Sequence, residues 1–323
     1  MQSRNINPQR ENNLKITEAN FTIMMEFVLL GFCDIPQFHW FLFGVFLVIY
    51  LIILLENSVV ILITKADATL HTPMYFFLSI FSFLENCFAS VTLPMMLMDL
   101  WTQKGTISFL TCATQMCFFL MLGGTECFLL AVMAYDRCVA ICNPLHYPLA
   151  MNPKVCVQLV IASWISGAPI CIGQTCQIFS LPFCGSNQIN HFFCDIPPLL
   201  KLACGDIFVN ELVVYISAVL FFTLPFMLIL GFYIRIITTI LKLPSETGRA
   251  KAFSTCSSHI IVVLFFYGSV TVAYLKPKSN QYEGIDKLLS LVYIVLTPVF
   301  NPMIYSLRNK DVRQAMRKFL LKL

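Results

Sequence analysis

Ionisable side chains lie where the sequence is otherwise apolar, among them Glu85 in "SIFSFLENCFAS", and Glu126, Asp136 and Arg137 in "GTECFLLAVMAYDRC". A charge at the centre of a bilayer costs about 3 kcal/mol or more, so each such residue marks a function and needs a partner. Two glutamates brought together in low dielectric cannot both stay ionised unpaired; they share a proton or hold a small monovalent cation. Hydrolysis is a poor fit, because an intramembrane aspartyl enzyme needs two aspartates and the mid-run acids are glutamates. His-Glu-x-x-His, Gly-x-Ser-x-Gly and glycine-rich phosphate loops do not occur, and the histidines (His39, His71, His146, His191, His259) fall mainly near the ends of apolar runs. The chain is therefore expected to perform no covalent chemistry, and neither a cofactor nor a metal centre is called for.

The elements that position these charges follow from composition. In 323 residues, 58% are apolar and 12% charged, which excludes a disordered chain and an ordinary soluble domain. A net charge of +4 is too small for a nucleic-acid binder of this size. A membrane helix needs about 20 apolar residues, and seven runs qualify: Phe41–Thr64, Met74–Leu97, Cys112–Asp136, Val155–Phe179, Glu211–Leu241, Ala252–Leu275 and Lys287–Leu307. The expected fold is an all-α bundle of seven transmembrane helices at 41–307, with a tail at 1–40 and a short amphipathic helix at 308–323. Met1–Glu26 is polar and lacks the basic-then-apolar opening of a signal peptide, so the first run is expected to act as its own insertion signal.

Lys65, Arg137, Lys154, Arg235, Lys242, Arg249, Lys251 and the basic C-terminus lie on one side of the spans. The other side offers fewer, which places the N-terminal tail outside and the C-terminus inside. The sequon Asn20-Phe21-Thr22 lies in that tail, making Asn20 a candidate glycosylation site. Cys112, Cys184, Cys194 and Cys204 fall on the same oxidising side and suggest two disulfides, with three pairings open. Past the seventh span, Val312, Met316, Phe319, Leu320 and Leu323 recur at helical spacing among Arg313, Arg317 and Lys318. Such a helix lies on the inner surface, attracted by anionic membrane lipid.

Depth follows from the helical rise. With Asp136 as the inner end of the third span, Glu126 lies roughly 15 Å above it, and Glu85 lies roughly 16 Å above Met74, so the two carboxyls share a level. Asn57 and Asn301 lie somewhat nearer the inner end and complete a polar layer. Phe119, Gly123, Glu126, Leu130, Met133 and Arg137 form one helical stripe. Glu126 and Arg137 are too far apart along it to pair, so Arg137 needs Asp136, a neighbouring helix or something from the cytoplasm. For Glu56 there is no firm account.

The strings "LHTPMYFFLS" (70–79), "MAYDRCVAICNPLHY" (133–147), "KAFSTCSSH" (251–259) and "NPMIYSLRN" (301–309), with "FCGSNQINHFFCD" in the long outer loop, occur in order, the first four at span ends. Together they resemble the olfactory receptor family of rhodopsin-like G-protein-coupled receptors over nearly the whole chain. The resemblance implies that Asp136 and Arg137 form a switch meeting the G protein, that Asn301, Pro302 and Tyr305 form a seventh-helix hinge with Tyr233 its counterpart, and that Glu85 and Glu126 are the polar pair. It implies the pairings Cys112–Cys194 and Cys184–Cys204, and makes Trp164 and Pro225 the landmarks of the fourth and fifth spans. It also implies an odorant pocket in the outer half, using Phe119, Leu120, Gly123, Gly124, Ser217, Phe221, Tyr267, Val270, Thr271 and Tyr274. Two residues depart from the pattern: Cys138 replaces the usual Tyr after Asp-Arg, and Glu56 replaces the usual Gly before Asn57.

The function so implied is binding of a small hydrophobic odorant and activation of a stimulatory G protein that raises cyclic AMP, at the plasma membrane of olfactory cilia. A receptor for a non-odorant metabolite would share almost every motif. An ion transporter or channel using Glu85 and Glu126 is the competitor from another class, and the odd span count disfavours a two-half transporter.

Overall fold

In hydrocarbon every backbone N–H and C=O must be satisfied within its own segment, which leaves helices as the means for these apolar runs to cross. The computed structural model describes residues 25–32, 36–184, 186–242, 244–274, 287–288, 290–308 and 310–320. Asn20 lies outside them, as do the side chains of Tyr274, Phe319 and Leu320. The helices are α1 (His39–Ala66), α2 (Pro73–Thr102), α3 (Phe109–Cys142), the short α4 (Tyr147–Ala150), α5 (Pro153–Phe179), the short α6 (Ile196–Leu202), α7 (Phe208–Leu241, with a π turn at Val219–Thr223), α8 (Glu246–Tyr274), α9 (Thr297–Arg308, continuing from a π turn at Val292–Leu296) and α10 (Lys310–Leu320).

α1, α2, α3, α5 and α7 are each long and apolar enough to cross a membrane, and α8 and the α9 segment carry shorter apolar stretches, Cys256–Thr271 and Val292–Tyr305. α8 begins six residues before the predicted start because polar residues such as Glu246 and Arg249 continue the helix beyond the apolar run. Helix starts follow local chemistry: Pro73 and Pro153 open α2 and α5, where a missing N–H costs nothing. Asn152 and Ser108 accept hydrogen bonds from Val155 N and Thr111 N, capping α5 and α3. α3 does not end at Asp136 but runs on to Cys142, so the Asp136–Arg137 pair lies more than a turn inside the helix. Outward-facing Leu55, Leu62, Ile165 and Leu264 stay exposed, the inverse of a soluble protein.

Beyond the expected helices, one end of the bundle carries a small sheet. β1 (Glu26–Leu29) pairs antiparallel with β2 (Thr106–Ser108), with Phe27 opposite Ile107, and parallel with β3 (Gln188–Ile189), with Val28 opposite Gln188. Strands of two to four residues offer too little alternation to read from sequence. Disulfides join Cys112 to Cys194 and Cys184 to Cys204, with Cα separations of 5.5 and 5.8 Å. They anchor this end to α3 and close the loop after α5. Beneath the sheet Phe27, fully buried, sits against the rings of Phe109, Phe179 and Phe183.

At the other end α10 lies against α1 and α9 with Val312 and Ala315 buried. The Tyr75 hydroxyl donates to Asp311 Oδ2 at 3.2 Å, and Lys318 Nζ lies 3.6 Å from Asp67 Oδ2. Thr69 donates to Asp67 from both its hydroxyl and its backbone N–H, holding that carboxyl below the usual carboxylate range and therefore charged toward Lys318.

Gly105 leads into β2 at φ +59°, and an added Cβ would stand 2.3 Å from the Leu29 carbonyl oxygen. The left-handed backbone alone costs a larger residue about 1 kcal/mol or more, and the collision adds to it. Gly105→Ala is expected to lower the apparent melting temperature of purified receptor by several degrees and to reduce its surface level. Gly173→Ala, where a Cβ meets open space, is the control expected to change neither. Equal melting of both variants would show that the sheet contributes nothing to stability.

Candidate functional site

The site is organised along one face of α3. Glu126 and Glu85 are each 1% exposed, and their carboxyls come within hydrogen-bonding reach across the α2–α3 contact. Asn301, fully buried on α9, donates from Nδ2 to Glu85 Oε1. Two carboxyls this close in an apolar layer need a proton or a cation between them. Asn57 is also fully buried, but its hydrogen bonds among the described residues go to the carbonyls of Ile53 (3.0 Å) and Pro298 (3.5 Å). It ties α1 to α9 beside the carboxyl pair. Glu56 is half-buried, with one carboxyl oxygen unpartnered among the described residues; nothing in the structure explains it.

Toward the sheet end, Phe119 is buried against Phe193 (ring centroids 4.8 Å apart), Phe88 (5.3 Å) and Tyr293 (6.2 Å). Gly123 and Gly124 bring α3 close to its neighbours: a Cβ on Gly123 would meet the Tyr293 hydroxyl at 3.6 Å, and one on Gly124 the Phe221 ring at 3.7 Å. Tyr267 is buried between Phe222 and Phe226, with centroids 4.8 and 4.7 Å away, and its hydroxyl has no partner among the described residues. Ser217 is buried with its hydroxyl donating to Val213 O, while Leu120, Val270 and Thr271 are half-buried. Phe221 packs on Phe128 rather than on the Phe119 cluster. Phe88, Phe193, Tyr293 and Phe222 were missed by spacing on α3 alone, because they arrive from other spans and from the loop after α5.

Toward the other end, Asp136 is 1% exposed and serves two donors. Arg137 donates to Oδ2 from Nε (3.0 Å) and Nη2, and the Tyr147 hydroxyl donates to Oδ1 at 2.8 Å. Of the three partners open to Arg137, the structure supplies Asp136. Burial first, and then the Asp136 charge, pushes the Tyr147 hydroxyl above its ordinary range, so it stays protonated and donating. Tyr147 opens the short α4 beyond α3, where no periodicity could single it out. Tyr233 shares a hydrogen bond with His259 Nδ1 on α8, whereas Tyr305 packs on Phe81 with its hydroxyl unpartnered among the described residues. The structure thus does not join Tyr233 to Tyr305. Pro302 is buried within α9. Cys138 is buried with Sγ 3.9 Å from Cys142 Sγ, which itself lies 3.3 Å from Thr239 Oγ1 on α7.

A family model described as "Olfactory receptor" matches residues 46–323. Olfactory receptor 10AG1 of Homo sapiens is 64% identical over 299 residues, covering 93% of this chain and 99% of that one. Olfactory receptor 10A7 of Homo sapiens is 52% identical, covering 93% of this chain and 95% of that one. Among solved structures, crystalline squid rhodopsin superposes with a TM-score of 0.69 at 17% identity, over 88% of this chain and 80% of that one. At that identity the likeness concerns the fold alone.

Losing a hydrogen bond to a charged group costs about 1.5–3 kcal/mol. Tyr147→Phe removes one of the two donors to buried Asp136 and is expected to lower the apparent melting temperature by several degrees. Leu145→Ala, at a 93% exposed position two residues earlier, is expected to leave it unchanged. If Tyr147→Phe melts like the unaltered protein, the contact does not hold this end together.

Proposed function

Because the chain belongs to the olfactory receptor family, whose members are signalling receptors rather than enzymes, we propose that it binds a small hydrophobic volatile beside Phe119 and passes that event to a stimulatory heterotrimeric G protein. The observation that carries this reading is the order of groups on α3. An aromatic enclosure around Phe119, the Glu126–Glu85–Asn301 layer and the Asp136–Arg137 pair follow one another along a single buried face. Apolar rings with few hydroxyls suit a ligand held by shape and one or two hydrogen bonds.

In this reading the sheet end faces outward and the Arg137 end inward, at the plasma membrane of olfactory neuron cilia. The odorant shifts a population between resting and active bundles, so it must bind the active one better. Asp136 holds Arg137 in the resting arrangement, with Tyr147 as a second clamp. Activation frees Arg137 to meet the G protein, with Tyr233, Asn301, Pro302 and Tyr305 adjusting between α7 and α9. The Cys112–Cys194 link keeps the roof of the pocket in register with α3, and Asn20 would carry a glycan on the outer tail. Cys138 cannot offer the G protein the phenol that a tyrosine there would.

A cyclic AMP screen over a chemically broad odorant panel is expected to yield apolar agonists whose responses disappear with Arg137→Ala at equal surface level. Responses that survive this change, or ligand-evoked current without G protein, would overturn the reading. Phe119→Ala is expected to weaken an agonist about tenfold, which corresponds to roughly 1.4 kcal/mol of lost contact. Glu126→Gln is expected to change basal signalling or its pH dependence more than the rank order of agonists. Unchanged basal signalling and pH response at normal surface level would remove the carboxyl pair from the mechanism.

A further inference from the structure

On the side of the bundle away from α7 and α8, a cavity of about 990 Å³ opens between the Arg137 ends of α1, α2 and α5, against α4. No group placed above in ligand binding or in the Arg137 switch lines it except Tyr147. Its two ends differ chemically. One lies at the helix termini, where Lys65 stands one residue from the end of α1 and His71 hydrogen-bonds from Nε2 to the Lys65 carbonyl at 3.1 Å. The other is a wall of Ile80, Phe83 and Val157, of which Phe83 and Val157 are 52% and 46% exposed. The cavity therefore opens sideways, through a rim that faces hydrocarbon.

Its height and charge narrow the occupant. Thr72 to Phe83, eleven residues of helix, rise about 16 Å, close to half of a hydrocarbon core of about 30 Å. The cavity thus runs through one leaflet and stops, the span of a single lipid. No aspartate or glutamate lines it, and among the described residues Lys65 has no carboxylate partner. Lys154, exposed in the first turn of α5, adds positive charge near the same level. A water-soluble ligand would leave the apolar wall against lipid tails, and a neutral sterol would make no use of the exposed Lys65 ammonium at the headgroup end.

We propose that this cavity is a binding site for one membrane phospholipid with an acidic headgroup, the headgroup at Lys65 and an acyl chain along Ile80, Phe83 and Val157. It is separate from the surface attraction expected of α10, whose Arg313 and Arg317 are exposed and absent from the lining.

The test uses full-length receptor in phosphatidylcholine nanodiscs doped with phosphatidylserine or phosphatidylcholine bearing a photoactivatable acyl chain, with mapping of the labelled peptides. The serine lipid is expected to label residues 76–83 and Val157 about fivefold more than the choline lipid, the preference that one surface lysine confers. Lys65→Gln should abolish that preference, Ser79→Phe should block labelling by both probes, and Arg313→Gln with Arg317→Gln should leave it intact. Equal labelling of the unaltered receptor by the two probes, labelling confined to α10, or displacement by cholesterol but not by unlabelled phosphatidylserine would each overturn the proposal. The comparison of probes needs no variant, so it decides even if a substitution fails to fold.

Discussion

An ionisable group in hydrocarbon is costly without a partner, and this chain places three of its few on α3, with Glu85 meeting Glu126 from α2. Each sets a condition on another element. Glu126 requires that α2 bring Glu85 to the same level, and Glu85 requires Asn301 from α9. Asp136 requires Arg137 beside it and Tyr147 from the turn beyond. The contacts among α2, α3, α4 and α9 are thus fixed as much by polar satisfaction as by apolar packing, which in lipid has little hydrophobic drive of its own.

The two ends of the bundle solve different problems. At the sheet end, short strands, two disulfides and a cluster of rings around Phe27 hold loop segments that have no helix to satisfy them. At the other end few covalent devices are available, and charge takes over: Asp67 with Lys318, Tyr75 with Asp311, and Tyr147 with Asp136. These contacts depend on charge and hydrogen bonding rather than on packed rings.

How much was legible in the sequence follows from which geometry is fixed. Helical rise and turn are constants, so the shared level of Glu85 and Glu126 and the stripe from Phe119 to Arg137 could be read from spacing. The register of one helix against another is set by packing, so Asn301 reaching Glu85, Asn57 reaching Pro298 and Tyr233 reaching His259 were not readable as contacts. Tyr147 and Phe193 come from turns and loops, where no period exists. Asp136 marks the end of an apolar run but not of α3, because a helix can continue to Cys142 once it leaves hydrocarbon.

The strand at Glu26–Leu29 has a consequence for the order in which the molecule can be built. Glu26 meets Asn187, 161 residues later in the chain, and at about 5–20 residues per second that partner emerges roughly 10–30 s after the strand itself. β2 and Phe109 are made well before that, but the parallel pairing of Val28 with Gln188 and the rings of Phe179 and Phe183 around Phe27 come only later. β1 therefore waits for its parallel partner, and a newly made copy carries that edge of the strand unpaired for about half of its synthesis.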